Sequence, residues 1–300
     1  MDFSLLWIPA TLAAAAAQTA RNATQRHLTE RIGTAGATQV RFLYGFPFAL
    51  LFVGFIELAS GEAIPTPNGS FIGFVALGAT TQILATALML AAMRERSFSV
   101  VTAIIKTEAV QTALFGLALL GDPLTPGLAA AIVIATVGVL LVSAKPGAGL
   151  ASSGMRPVLF GLLAGGFFAL AAIGFRGAIL ALDQGFFLIR ATTTLAWGLG
   201  AQTLLLIAWL VVFDRPALVG SLRVWRPSIG AGFLGALASQ FWFIGFSLTS
   251  AANVRTLALV EVIMAQAVSH RLFSHRTNRR ETLGMGLIVA GVVLLLAAQG

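Results

Sequence analysis

The stretch Val100–Ala144, VVTAIIKTEAVQTALFGLALLGDPLTPGLAAAIVIATVGVLLVSA, decides how the rest of the chain is read. It consists of two apolar runs joined by a tight Gly121-Asp122-Pro123 turn, each about long enough to cross a bilayer as a helix, which takes roughly 20 residues. Lys106 and Glu108 stand near the middle of the first run. An ionisable group at that depth costs on the order of 2.5–3.5 kcal/mol on insertion scales, so it marks function or a specific partner. A second copy, NVRTLALVEVIMAQAVSHRLFSHRTNRRETLGMGLIVAGVVLLLAA, lies near the C-terminus. A constant offset of 153 takes Glu108 to Glu261, Gly138 to Gly291, and Val139, Leu141 and Ala144 to Val292, Leu294 and Ala297. The chain is therefore a duplication, and the paired glutamates and Gly-Val steps carry that conclusion.

Composition sets the class. The chain of 300 residues is 58% hydrophobic and 10% charged, against about 25% charged residues in soluble domains. This implies an all-α, polytopic membrane protein. Ten spans are expected, near 4–24, 35–57, 70–92, 98–119, 126–144, 157–181, 186–212, 227–248, 252–272 and 283–298. The apolar N-terminal stretch has no basic residues before it and reads as a retained first span. A Gly/Ser-rich stretch, Ser143 to Arg156, divides the chain into five-span halves, 1–145 and 155–300. An odd number of crossings per half inverts the second half relative to the first, the architecture of many secondary transporters.

Charge placement gives the orientation. Thirteen of the 19 Lys and Arg residues fall after spans one, three, five, seven and nine, while the termini and the other four loops hold none. The positive-inside bias puts those loops in the cytoplasm and both termini outside. It also accounts for the net charge of +8 without a nucleic-acid partner. The cluster from Arg271 to Arg280 reads as a topology signal, with anionic lipid as the alternative contact. The chain has no cysteine, so no disulfide and no cysteine metal site. His27, His270 and His275 lack metal-ligand spacing. The phosphate loop GxxxxGK[ST], GxSxG and HExxH are absent from the sequence. No cofactor, metal or catalytic residue is expected, and the expected partners are a small-molecule substrate and the bilayer.

The candidate site residues follow from polarity within the spans. Lys106 and Glu108 lie about 200° apart on a continuous helix, so one is expected to face the translocation path and the other a helix seam. Gln111 and Thr112 share the Glu108 face. For Glu108 and Glu261 two roles stand: binding a coupling proton, or an interhelical hydrogen bond. In span two, Arg41, Tyr44 and Phe48 share a face, and Pro47 is expected to kink the helix. Tyr44 can stack on an aromatic ligand and Arg41 can meet a carboxylate, or the two can sit at the membrane interface. Gln82 and Gln240 can bind ligand polar groups or hold helices together. Trp242, two residues past Gln240, is expected to face the opposite side, towards lipid or substrate. Gly161 and Gly165 form a GxxxG pair suited to close packing.

The mid-helix Glu108, the run Gly121-Asp122-Pro123-Leu124 and the following Gly-Val-rich span resemble the drug/metabolite transporter superfamily with paired EamA-type repeats. The resemblance covers nearly the whole chain. It implies ten helices around a central cavity, alternating access, and export of aromatic or other small amphipathic amino acids or metabolites from the bacterial inner membrane. Export of organic cations is the alternative within the superfamily. A membrane-embedded enzyme or a non-transporting scaffold is the alternative outside it. The chain departs from the usual pattern at Ala109 and Val262, where proline is common, and at Asp122, where Glu is common. Ser274, His275 and Arg276 replace the second Gly-acid-Pro turn.

Overall fold

The computed structural model describes residues 5–95, 101, 104–143, 156–264 and 279–298, and among these every regular element is helical. In chain order they are α1 (Trp7–Leu43), α2 (Phe46–Ser60), α3 (Gly69–Glu95), α4 (Glu108–Leu120), α5 (Pro126–Ser143), α6 (Arg156–Ala181), α7 (Phe187–Phe213), α8 (Arg215–Arg223), α9 (Trp225–Leu248), α10 (Ala251–Leu257) with a 3-10 turn Ala258–Val260, and α11 (Arg279–Ala297). Among the described residues, six segments are long and apolar enough to cross a membrane: Ala35–Ser60, Gly69–Met89, Val158–Ala181, Phe187–Phe213, Trp225–Leu248 and Arg279–Ala297. Two shorter apolar helices, Glu108–Leu120 and Pro126–Val142, accompany them. Residues 144–155 of the expected linker, the start of span four and the end of span nine with Arg271 and Arg276 lie outside the described residues.

Local sequence explains the helix ends. α1 is 37 residues long, too long for one crossing, and Gly33 breaks it with φ +70, where a side chain would be strained. The second span is kinked as Pro47 requires. α1 ends at Leu43, α2 restarts at Phe46, and Pro47 falls in the first turn, where a missing N–H costs nothing. α2 turns Leu50, Leu51, Phe55 and Leu58 outwards, the reverse of a soluble helix and suited to hydrocarbon. Asn68 caps α3, accepting from the Phe71 N–H at 2.8 Å while donating to the Ala181 carbonyl at 2.6 Å. α8 lies in what the hydropathy pattern gives as a loop. Asp214 caps it through the Ala217 N–H at 3.1 Å, with proline in the first turn.

The chain forms two compact units that are not its sequence halves. The first comprises 1–83 and 174–249, the second 84–173 and 250–300. In the first, α3 and α6 meet glycine to glycine: a Cβ on Gly174 would lie 2.6 Å from the Gly78 nitrogen. α1 passes close to α9, where a Cβ on Gly232 would lie 2.5 Å from the Tyr44 carbonyl carbon. In the second unit, Ala92, Val101, Ile105 and Ala164 form a buried cluster closed by Phe160 and Phe168. Gly161 and Gly165 admit Ile104 and the Ile105 carbonyl, the packing use of the GxxxG pair.

The same unit carries the duplication in its contacts. A Cβ on Gly138 of α5 would lie 2.6 Å from the Gly284 carbonyl and 2.8 Å from the Ile288 nitrogen of α11. A Cβ on Gly291 of α11 would lie 2.8 Å from the Ala131 carbonyl and from the Ala135 nitrogen of α5. Gly291, Gly284 and Ile288 are Gly138, Ala131 and Ala135 displaced by the sequence offset of 153. The contact is therefore reciprocal, each repeat presenting the same patch to the other.

Gly138→Val and Gly291→Val should each lower the unfolding midpoint in detergent, by about 1–3 kcal/mol of overpacking or more. Gly286→Val in the same helix should be neutral, because a Cβ there meets nothing within 4 Å. Equal melting of all three variants would refute the reciprocal contact.

Candidate functional site

The buried charges of the second unit form one group. Lys106 Nζ lies 3.0 Å from Glu261 Oε2, and Arg255 Nη1 lies 3.8 Å from Glu108 Oε1. Lys106 is also within electrostatic reach of Glu108 and Arg255. Lys106, Glu108 and Glu261 are all less than a tenth exposed. The pairing crosses the repeats: Lys106 and Glu108 come from the first copy, Arg255 and Glu261 from the second.

Backbone discontinuities make this possible. Lys106 and Thr107 form a turn, and α4 begins only at Glu108. The Ile104 carbonyl accepts from the Thr107 N–H at 3.2 Å and from its hydroxyl at 2.7 Å. Back-bonding of this kind bends a helix. In the second copy the 3-10 turn Ala258–Val260 leads directly into Glu261. Both offset-related glutamates thus sit where a helix changes its winding, a recurrent mark of functional segments. Lys106 and Glu108, expected one towards a path and one towards a seam, both pair with residues of the second copy. The backbone tightens to i→i+3 bonding here, and both side chains, although about 200° apart on a regular helix, reach residues 255–261.

Gln111 and Thr112 serve the local fold. The Thr112 hydroxyl donates to the Glu108 carbonyl at 2.7 Å. Gln111 Nε2 donates to the Thr107 hydroxyl at 3.3 Å and the Leu162 carbonyl at 3.4 Å.

The first unit holds the neutral polar candidates. Gln202 Nε2 donates to Gln82 Oε1 at 2.7 Å, and Gln240 Nε2 donates to the Thr192 hydroxyl at 2.8 Å. Trp242 Nε1 donates to Gln18 Oε1 at 3.2 Å. Trp242 is expected on the side opposite Gln240, towards lipid or substrate; both are buried, because α9 carries buried residues around much of its circumference. Tyr44 donates its hydroxyl to the Ser221 carbonyl at 3.2 Å and so ties the α1–α2 break to α8. Arg41 lies over the Phe42 ring at 5.2 Å, and Phe48 packs edge-on against Phe233. Arg176 donates to the Phe246 carbonyl at 2.7 Å and also to that of Thr249, closing the end of α9. Sequence reading passed over Gln39. It is fully buried, and neither amide atom has a hydrogen-bond partner among the described residues. A buried amide in that state is a place for a polar guest or a water. Its only sequence signal is a glutamine inside an apolar span.

With this geometry in view, the class follows. The chain matches the EamA-like transporter family twice, over residues 5–144 and 155–297, and it belongs to that family, a branch of the drug/metabolite transporter superfamily. It is a multi-pass membrane transporter built of two repeats. A crystal structure described only as that of a protein shares the fold, with a TM-score of 0.73 at 14% identity over 98% of both chains. No curated protein matches the sequence.

Removing one partner of a buried ion pair leaves an uncompensated charge and costs about 3–5 kcal/mol. Lys106→Met should therefore destabilise the protein strongly in detergent. The double variant Lys106→Met with Glu261→Leu should recover most of the loss. Additive losses in that cycle would mean that the two groups do not interact.

Proposed function

We propose that the protein is a secondary transporter that exports aromatic and other small amphipathic amino acids by alternating access, from the bacterial inner membrane, with both termini periplasmic. The observation that carries this reading is the buried group of two acids and two bases at helix breaks. It is neutral as a whole, so a zwitterionic amino acid can exchange its carboxylate and ammonium for internal pairings without importing net charge into hydrocarbon. Broken helices near the midplane are where secondary transporters bind substrate and coupling ions. The substrate class is proposed further by analogy within the superfamily, with YddG, an exporter of aromatic amino acids, as the member we propose this chain is most like. Export of organic cations fits less well, because both carboxylates already face a basic partner. The fold as ten helices around a central cavity, in halves 1–145 and 155–300, is part of the same proposal.

The two ion pairs divide the work. The tight Lys106–Glu261 pair holds the helix breaks together, whereas the looser Glu108–Arg255 pair is the one free to exchange with a proton or substrate.

Purified protein in liposomes should release unmodified phenylalanine or tryptophan faster than a hydrophobic cation. Chemical change of the solute would indicate an enzyme, and no flux of either would indicate a scaffold. Glu108→Gln should abolish pH-driven transport while leaving substrate exchange. Glu261→Gln should chiefly lower stability. Mild, equal losses with the pH dependence intact would remove the coupling role.

The thirteen-to-zero distribution of basic loop residues makes a separate prediction about orientation. A C-terminal alkaline phosphatase fusion should be active and a C-terminal fluorescent-protein fusion dark. A bright fusion would reverse the orientation.

A further inference from the structure

α8 turns two different faces to its surroundings. Its inner face is small: a Cβ on Gly36 of α1 would lie 3.3 Å from the Ala217 carbonyl, and one on Gly220 would lie 3.5 Å from Ile32. Ser221 is fully buried, and its carbonyl takes the Tyr44 hydroxyl. The outer face carries Arg215, Val219, Leu222 and Arg223, all exposed, and continues into exposed Trp225 and Arg226. Apolar side chains thus stand between guanidinium groups on a face that no described part of the protein covers. A helix with apolar residues and arginines on one outward face suits the boundary between headgroups and acyl chains.

The flanking helices put α8 at that depth. Trp209 and Phe213 are exposed at the end of α7, with their rings 5.5 Å apart, and Trp225 is exposed at the start of α9, where Arg226 lies 5.4 Å over its ring. Aromatic residues at the ends of spans mark the membrane interface. Charge selects the lipid. Asp214, the acidic residue adjoining α8, accepts from the Ala217 N–H, and Arg215, Arg223 and Arg226 outnumber its carboxylate, so the outer face is net positive. Arg215 Nε donates to the Val211 carbonyl at 2.8 Å, which holds its guanidinium beside the end of α7.

We propose that α8 is an interfacial helix whose outer face binds anionic phospholipid headgroups through Arg215, Arg223 and Arg226, with Val219, Leu222 and Trp225 set among the upper acyl carbons. Tyr44 anchors that helix to the α1–α2 break. The proposal uses the membrane class of the protein and is independent of its substrate.

The absence of cysteine permits a direct test. Leu222→Cys, labelled with bimane, is placed in phosphatidylcholine vesicles containing either brominated phosphatidylglycerol or brominated phosphatidylcholine at equal mole fraction. Quenching should show enrichment of the anionic lipid of roughly fivefold, the preference that even one arginine at such a surface supports. Enrichment should fall to unity in an Arg215→Gln, Arg223→Gln, Arg226→Gln background and in high salt. Equal quenching by both lipids in the parent, or quenching by neither because a second copy covers the face, would overturn the proposal. So would enrichment that persists in the triple variant. Circular dichroism of the triple variant in the same vesicles confirms that the helices are retained. A variant that loses them is replaced by Arg223→Gln, Arg226→Gln, which spares the Arg215 contact and should lower the enrichment in the same direction.

Discussion

A charge buried in an apolar bundle cannot be left without a partner, and the second compact unit is arranged around that constraint. Insertion scales price each ionisable group in a span at a few kcal/mol, and breaking a buried pair costs about as much again. Each repeat brings one acid and one base. Lys106 pairs with Glu261 and Glu108 faces Arg255, so each copy supplies a counter-charge to the other. The helix breaks at Lys106–Thr107 and Ala258–Val260 follow from the same need. Lys106 and Glu108 start about 200° apart on a regular helix, and both nevertheless reach residues 255–261.

The frame around this group is symmetric, while the group itself is not. Gly138 and Gly291 receive each other's repeat through positions related by one offset, as in an isologous dimer. The two glutamates obey the same offset. Their bases do not: Leu259 stands where Lys106 would recur, and Arg255 answers to Thr102 in the first copy. Duplication therefore set the backbone, and substitution placed the positive charges. On the proposed function, the symmetric backbone would serve similar openings in two directions, and the asymmetric charges would hold a substrate with distinct ends in one sense.

Hydropathy made most of the helices legible, because a bilayer demands long apolar runs whatever the tertiary packing. The duplication was legible from Glu108 and Glu261, since an acid in a span is rare enough for two in register to be informative. Pro47 announced the break between α1 and α2. Two features stayed hidden for physical reasons. No glycine or proline marks the turn at Lys106–Thr107; a threonine hydroxyl bonding back to Ile104 accompanies it, and most such threonines leave a helix intact. The face of Trp242 was unreadable because a helix enclosed on several sides has no single interior stripe. α8 was readable in principle from Asp214-Arg215-Pro216, a cap followed by a first-turn proline, but its nine residues fall below what hydropathy detects.

The two units keep their polar groups on different energetic terms. In the first, the paired side chains are neutral, Gln82 with Gln202, Gln240 with Thr192 and Trp242 with Gln18, while the charged Arg176 donates to backbone carbonyls. Neutral hydrogen bonds of this kind inside membranes contribute about 0.6 kcal/mol on average. They can be remade one at a time within the range of thermal fluctuation. In the second unit the partners are charged, and separating them costs several kcal/mol unless a proton or ligand takes the vacated place. A transporter that must change shape can therefore rearrange its amide contacts spontaneously. On the proposed function, its charged contacts change only when something binds, which is how a conformational cycle would be tied to the solute being carried.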